Sequence, residues 1–418
     1  MGKTFSANYR WYIFALCAAI FIISQFWRVS NAVVANDLSR DLGLTPESLG
    51  LLGGAFFYSF CLVQLPMGFL LDRFGARAVM STLACIGAAS AVIFAFAGGA
   101  ATAILARAGI GIGMAAALMG SYKIFTAWFS PQEFATLSGI MIALGNMGAM
   151  SATAPLALLS ELLGWRGAFL CMAAVTLSLA VTIYLVVRDH PERPAASQIQ
   201  PPLSVSGIFS GLLTVLGDSR FWRLAPLSFA SYGVMITILG LWGGPYLRDV
   251  CGLSKTSASV ILLATPVGAV CGAPLWGRLS DILKRRKYLI LFVQGVSLLL
   301  LSSLVMDLHL PRWGLLVQYW LFGFAGVSST LLYVQVKETF PLSIAGTALT
   351  GLNFFLMLGG AVFQHMMGII MGHWTPSATG ALPVTAYQWG FGVSAAVLAL
   401  TLIVYIGSHD TTPESVLT

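Results

Sequence analysis

Charge is what this chain has least of. Of its 418 residues, 22 are Lys or Arg and 15 are Asp or Glu, together 9%, where a soluble globular domain carries roughly 25%. So few charges cannot clothe a water-facing surface for a chain of this length. That excludes an ordinary cytosolic enzyme, a disordered chain and a nucleic-acid binder. The net charge of +7 is scattered between apolar blocks rather than gathered in a stripe. Metal-binding patterns are missing too. Cys17, Cys61, Cys85, Cys171 and Cys271 lie inside apolar runs and Cys251 in a loop, with no C-x-x-C and no Cys/His cluster. They read as small buried hydrophobes, so neither a disulfide framework nor a metal or other cofactor is expected. There is no Walker sequence, and Gly109-Ile110-Gly111-Ile112-Gly113 does not follow a strand, which excludes a nucleotide fold and ATP drive by this chain. A cleavable leader is not expected either, because the first apolar run, from Trp11, is too long and lacks a small-residue cleavage site. Met1-Gly2-Lys3-Thr4-Phe5-Ser6 fits the loose myristoylation pattern, an anchor that a spanning protein does not need.

What the chain has is hydrophobicity, at 58% of residues and a mean hydropathy of +0.86. A bilayer core takes ~20 apolar residues in a helix. Runs of that kind fall at 11–35, 47–70, 78–97, 102–127, 134–158 and 167–187, then at 222–246, 256–276, 288–306, 313–336, 345–370 and 388–407. The sequence therefore predicts an all-α membrane protein with twelve transmembrane helices and both termini on one side. With the termini inside, inner segments hold 14 basic residues, outer loops 5 and the spans 3, namely Arg28, Arg107 and Lys123. That asymmetry predicts cytoplasmic termini and, for a bacterial cell, the inner membrane.

The longest charged interruption, 188–223, contains Pro191, Pro194, Pro201 and Pro202, which keep its first part out of a helix. It predicts an N-terminal six-helix bundle at 1–190, a cytoplasmic linker at 191–220 and a C-terminal bundle at 221–418, with a short surface helix at 208–216. The halves repeat. Gly68 and Asp72 recur as Gly277 and Asp281, and Gly43-Leu44-Thr45 recurs as Gly252-Leu253-Ser254, all 209 positions on. Thr45 and Ser254 each read as the N-cap of the second helix of its half, with Pro46 at the first helical position. One shared offset argues for two pseudo-symmetric bundles about an axis normal to the membrane.

The loop after the second run reads Gly68-x-x-x-Asp72-Arg73-Phe74-Gly75-x-Arg77. Gly68 lets a neighbouring helix approach closely. Asp72 is an anion at the inner mouth, suited to the positive end of the eleventh helix near Leu342-Ser343. Arg73 and Arg77 are placed to bond Glu133 or the loop after the fourth span. Such a cluster would hold the inner mouth shut; the alternative is that the two arginines only set topology. This motif resembles the G-x-x-x-D-R-x-G-R/K-R/K signature of the major facilitator superfamily. Arg107-x-x-x-Gly111-x-Gly113 is similar to that family's second motif, and Gly164-Trp165-Arg166-Gly167-Ala168-Phe169 to its entry into the sixth helix. The resemblance implies the major facilitator fold and transport by alternating access. It gives Arg107 a structural or coupling role against the first helix. The copy at Gly277 and Asp281 departs from it, with Ile282 where the Arg belongs and the run Lys284-Arg285-Arg286-Lys287 beyond, which predicts a weaker latch in the C-half.

Ionisable residues inside spans mark a functional path. Arg28 lies ~7 Å to the outer side of the middle of its helix. Ser24, Gln25, Arg28 and Asn31 share one face at helical spacing, so that face is wet; the alternative is an arginine that snorkels to the headgroups. Lys123, near the inner end of the fourth span, either binds an anion in the cavity or snorkels. Tyr58, Asn146, Ser231, Tyr232, Tyr333, Gln335 and Asn353 are further cavity candidates, each equally able to join two helices. All 15 acidic residues lie in loops or at span ends. The one mid-span group titrating near neutrality is His365, beside Gln364, and it serves either proton coupling or a hydrogen bond to a carbonyl. The interior is then net positive, which favours a carboxylate and disfavours cationic drugs.

The function expected is a secondary or facilitative transporter, not an enzyme, for a small carboxylate-bearing solute. Arg28 is its anchor, and Asn31, Tyr58, Lys123, Asn146, Tyr232, Tyr333 and Asn353 complete the site. Its partners are that solute and the lipid bilayer, with no nucleic acid, and the chain is expected to be monomeric. Residues 27–68, with Trp27-Arg28-Val29-Ser30, Leu38-Ser39-Arg40-Asp41-Leu42, Leu49-Gly50-Leu51-Leu52, Phe56-Phe57-Tyr58 and Gln64-Leu65-Pro66-x-Gly68, resemble proteobacterial intraphagosomal amino-acid transporters and lysosomal dipeptide carriers. That resemblance implies an amino acid or short peptide. An organic-anion or dicarboxylate exchanger is the alternative, and a multidrug exporter stands behind both.

Overall fold

The computed structural model describes residues 8–191, 213–306, 308–327, 329–377 and 380–411. Most of the linker expected at 191–220, most of the surface helix expected at 208–216 and the N-terminal hexapeptide lie outside the described residues.

Among the described residues the secondary structure is helical, without a strand. The first span is α1 (Tyr9–Val29) continued after Ser30 by α2 (Asn31–Leu42), so it runs further than the apolar stretch at 11–35. The second and third are α3 (Pro46–Phe74) and α4 (Ala76–Ala95), and the fourth is α5 (Ala100–Met114) with α6 (Ala117–Trp128). The fifth and sixth are joined. α7 (Pro131–Ser151) leads into α8 (Ala154–Val186), which breaks inside at Gly164, with φ 70° and ψ 162°. The stretch Pro131–Val186 has 56 residues, roughly 84 Å at ~1.5 Å per residue, enough to cross a bilayer twice.

The seventh span is α9 (Ser219–Thr237), a π-turn (Ile238–Trp242) and α10 (Gly243–Asp249). Then come α11 (Lys255–Leu283), α12 (Arg286–Val305), α13 (Arg312–Gly326) with α14 (Ser329–Thr339), α15 (Leu342–Met371) and α16 (Val384–Ile406). With Gly164 dividing the joined pair, the described helices make twelve crossings in two six-helix halves.

The internal repeat is built from the same local chemistry. Thr45 accepts a hydrogen bond from the Ser48 N–H, and Ser254 accepts one from the Ser257 N–H, so both side chains cap their helices. α3 and α11 each have 29 residues, α4 and α12 each 20, α5 and α13 each 15. Gly43 at φ 62° matches Gly252 at φ 64°. Gly75, at φ 80°, ends α3; 209 positions on, Lys284 takes φ 51° as the one non-glycine with positive φ among the described residues. The repeat imposes there a backbone that costs an L-residue roughly 1–2 kcal/mol.

The halves meet most closely where α3 crosses α15. A Cβ on Gly50 would come within 2.8 Å of the Gly368 Cα, so two bare backbones touch. Lipid tails are as apolar as leucine, and close approach of this kind replaces the hydrophobic drive of soluble proteins. Cys171 and Cys271 depart from the buried reading: both are exposed on the bundle exterior.

Candidate functional site

The first and seventh spans are irregular at matching positions. The first breaks at Ser30 and the seventh widens into its π-turn, which contains the position 209 residues further on. These two irregularities pack together: a Cβ on Gly240 would lie 3.3 Å from the Arg28 carbonyl. Widening the helix frees carbonyls, and Gln364 of α15 takes one of them. Its side-chain amide donates to the Ile236 carbonyl at 3.2 Å, while the Trp242 indole donates to the Gln364 carbonyl at 3.0 Å. π-turns concentrate at functional sites.

Arg28 lies just before this junction and is 8% exposed. Its guanidinium sits 4.6 Å above the Phe60 ring of α3. One terminal nitrogen is 3.8 Å from the Met357 sulfur on α15. The side chain therefore points at the opposite half, not at lipid. It makes no ion pair among the described residues, and its Nε–H has no partner. Asn31 is fully buried, with neither its amide nitrogen nor its oxygen bonded. The Gln25 carbonyl oxygen and the Thr237 hydroxyl are likewise buried without a partner. Each such group costs roughly 1–3 kcal/mol unless something pairs with it. Across the interface Tyr333 donates to Asn353 at 2.8 Å, and it stands within electrostatic reach of Arg28 and Tyr232. Tyr232 lies edge-on to Phe57 at 6.3 Å, and Tyr58 lies edge-on to His365 at 6.3 Å.

Arg28, Asn31, Tyr58, Tyr232, Tyr333, Asn353 and His365 thus occupy the waist between the halves. Asn146 donates to Ile142 on its own helix at 3.3 Å. Lys123 is engaged elsewhere: its ammonium meets Asp72 at 2.5 Å. The two side chains are 33% and 44% exposed, so Lys123 is engaged with Asp72 near the end of its span rather than with the waist residues. Gln335 and Ser231 are also spent inside the C-half. Gln335 accepts from Tyr405 and donates to the His409 carbonyl, and Ser231 donates to the Ser228 carbonyl.

The cluster at the termini side differs from the sequence expectation in its pairings. Asp72 meets Lys123 of α6 rather than the start of α15. Glu133 pairs with Arg10 at 3.0 Å and closes the capping box of α7 with Ser130, leaving it to neither Arg73 nor Arg77. Arg73 lies over the Phe74 ring. Arg77 donates to the Tyr184 carbonyl at 2.6 Å and its main-chain N–H to Asp189 at 2.8 Å. Gly68 and Gly277 have open space where a Cβ would stand, so close packing does not explain either glycine here. The C-half copy is paired as well. Buried Arg286 supplies the cation that Ile282 lacks, pairing with Asp281 at 3.1 Å and Glu338 at 2.8 Å. Arg107 turns onto the first span, where its guanidinium bonds the Trp27 carbonyl and the Ser30 hydroxyl and covers the Phe56 ring. Its counterpart in the C-half is Tyr319, whose hydroxyl meets the Gly243 carbonyl at 3.5 Å.

No motif in the sequence marks the far side, opposite the termini. There Lys255 meets Asp37 at 2.5 Å and also bonds Ser160. Thr256 donates to Glu161 at 2.5 Å, and Asn36 donates to Asp249 at 3.0 Å. All four contacts join the two halves. Among the described residues, no such hydrogen bond or ion pair joins them at the termini side. Beside this lock Asp41 accepts from the Trp165 indole at 2.9 Å. That bond, then Arg40 and Arg166, holds its carboxyl below the usual range.

Two helical halves locked on one face, with unpaired polar groups at their waist, define a membrane carrier. The chain belongs to the Major Facilitator Superfamily, whose sequence profile matches residues 16–364. It is 24% identical over 411 residues to the probable sulfoacetate transporter of Cupriavidus necator, covering 95% of this chain and 88% of that one. It is 24% identical to the probable galactarate/D-glucarate transporter of Bacillus subtilis, over 94% of this chain and 92% of the other. A putative tartrate transporter of Agrobacterium vitis is 24% identical, over 95% and 92%. Among solved structures, a bacterial homolog of the human lysosomal transporter Spinster, inward-facing and unoccupied, aligns with a TM-score of 0.77 at 18% identity, over 96% of this chain and 97% of that one. The protein is therefore a multi-pass membrane transporter rather than an enzyme.

Proposed function

We propose that this protein carries small organic anions across the membrane by alternating access, with Arg28 binding the carboxylate or sulfonate head. The observation that carries the reading is a buried guanidinium with no ion pair and a free Nε–H, facing the opposite half. A bidentate anion satisfies such a fork. Asn31 and Thr237 supply unpaired buried groups for hydroxyl or carbonyl oxygens, and Tyr232, Tyr333 and Asn353 line the C-half wall. The names of the relatives, for sulfoacetate, galactarate and tartrate, support the same class. Amino acids and short peptides rank behind, because among the described residues nothing acidic at the waist would meet their ammonium group. The chain's 15 acidic residues all lie in loops or at span ends.

The termini face the cytoplasm in this reading, as the basic residues favour. The Asp37–Lys255 lock closes the outer mouth, while the Asp72–Lys123 and Asp281–Arg286–Glu338 clusters each lie within one half. Purified protein in proteoliposomes tests the reading against labelled tartrate, galactonate, sulfoacetate, alanine, a dipeptide and a sugar. Organic anions are transported and Arg28→Ala abolishes their uptake. Transport of the zwitterions alone, or anion flux unchanged in Arg28→Ala, overturns it.

A further inference from the structure

We propose that the far side of this carrier holds a second solute site, beside the lock, which takes a hydroxy carboxylate and keeps the far mouth shut while it is filled. The site is a cavity of about 640 Å³ between α2 of the N-half and α10 and α16 of the C-half. That volume suits a small molecule. Neither Arg28 nor any other waist residue lines it, so the proposal stands apart from the organic-anion reading.

Arg248, near the end of α10, is the anchor. It lines the cavity, makes no hydrogen bond or ion pair among the described residues, and has one terminal nitrogen buried without a partner. Arg107 shows that an arginine of this protein can do without a counter-ion, but its donors go to the Trp27 carbonyl and the Ser30 hydroxyl in a packed interior. Arg248 has no such acceptor, and the space for one lies beside it. A carboxylate meets a guanidinium through two parallel hydrogen bonds. On the other wall Asn36, Ser39 and Arg40 follow at i, i+3 and i+4 along α2, which sets them on one face. Arg40 is engaged by Asp41 at 3.0 Å. The Ser39 hydroxyl makes no hydrogen bond among the described residues, and the Asn36 side-chain oxygen is buried without a donor. Two acids line the cavity as well. Asp37 is paired with Lys255, whereas Asp249 takes hydrogen bonds from Asn36, Tyr387 and the Leu382 N–H but has no ion pair among the described residues. A plain carboxylate placed here would gain Arg248 and face Asp249. A hydroxyl beside the carboxylate changes that balance, because it donates to Asp249 or Asn36 while the carboxylate takes Arg248. A site that hydrogen-bonds a solute hydroxyl rejects the analogue lacking it.

The walls belong to different halves, and the Asn36–Asp249 bond at 3.0 Å ties them together. Opening the far mouth parts them. A ligand that bridges Arg248 and α2 therefore binds the shut state better than the open one, and shifts the population toward it by that difference. Abundant hydroxy acid on the far side thus restrains its own entry.

Equilibrium dialysis of the purified full chain carrying Arg28→Ala, which removes the waist anchor, tests the site with labelled tartrate and galactonate. One molecule is bound per chain. Succinate, which is tartrate without its hydroxyls, displaces it about tenfold less well than unlabelled tartrate or worse. Adding Arg248→Gln weakens binding about tenfold or more, and adding Ser39→Ala weakens it less. Spin labels at residues 162 and 256 read the mouth. In the chain with Arg28→Ala and the loosened lock of Asp37→Asn, tartrate restores the short distance and succinate does not. The site is overturned if Arg28→Ala binds neither hydroxy acid, if Arg248→Gln leaves binding unchanged, or if succinate binds as well as tartrate. A bound hydroxy acid that leaves the label distances unaltered overturns its hold on the mouth. Should Arg28→Ala not fold, the wild type decides: it binds two molecules per chain and loses one of them in Arg248→Gln, whereas a single molecule kept in Arg248→Gln overturns the proposal. One molecule bound by the wild type and none by Arg28→Ala sinks this site and leaves the organic-anion reading standing.

Discussion

Lys255, the first residue of the eighth span, holds Asp37 of the first span at 2.5 Å, and the two side chains are only 15% and 16% exposed. They belong to different halves. A pair so sheltered is screened less by salt than a surface pair. Its strength is read by a double-mutant cycle with Asp37→Asn and Lys255→Met in detergent melting. A coupling of about 1 kcal/mol is expected, within the range for contacting residues. Each single variant also shifts the carrier toward its far-side-open state. Distances between spin labels at residues 162 and 256 report that shift, and an unchanged distribution contradicts the lock.

Lys123 and Asp72 make a second pair, within the N-half. Asp72→Lys or Lys123→Asp alone lowers the transport rate about tenfold. The charge swap carrying both substitutions recovers most of it with KM unchanged. Were Lys123 a solute ligand, the swap would leave KM raised.

Gly75 sits at φ 80°, and a Cβ there would lie 2.6 Å from an Asp189 carboxylate oxygen. Gly75→Ala therefore carries backbone strain of roughly 1–2 kcal/mol and pushes away the carboxylate that holds the Arg77 main chain. The melting midpoint drops by several degrees. Lys284→Gly, at the matching turn of the other half, raises it, because glycine takes φ 51° without that strain.

Asp41 supplies a pH dependence. The Trp165 indole, then Arg40 and Arg166, stabilise its charged form, so its folded pKa lies below the unfolded value. Its contribution to stability is fully present above the unfolded carboxyl value, about 3.9, and is lost as pH falls through the lower folded value. Melting from pH 6 to pH 3 shows a steeper acid-side fall for the wild type than for Asp41→Asn. Parallel curves would dismiss the contribution.

Gln364 ties the π-turn to α15. Gln364→Leu frees the Ile236 carbonyl in an apolar setting and lowers the rate of transport at least tenfold. Gln364→Glu keeps an acceptor but loses the amide N–H that Ile236 receives, so it does not rescue the rate; Gln364→Asn recovers part of it.

The fold was legible because its signals are local. Apolar run length, the Thr45 and Ser254 caps and the 209-residue repeat each act within a few residues of themselves, and the structure reproduces all three. The joined fifth and sixth spans hid a break at Gly164 that hydropathy alone reads only as a gap. Arg28 could be found at sequence level because a charge inside an apolar helix stands out. Thr237 could have been found by adding the repeat offset to Arg28. The partners could not: Lys255 and Asp37 lie 218 positions apart, and Met357 is an unremarkable apolar residue until α15 brings it to the guanidinium. Pairings between charges at the mouths were misread for the same reason, since several bases compete for each acid and only the packing of α6 beside α3 chooses Lys123.

Gly50 and Gly368 touch without side chains. A joint of that kind has no knobs to withdraw from holes, so parting it requires no rotamer to change and leaves no void behind. Resistance to separation then falls on the charged fasteners around the joint, and traffic through the carrier follows how quickly those let go.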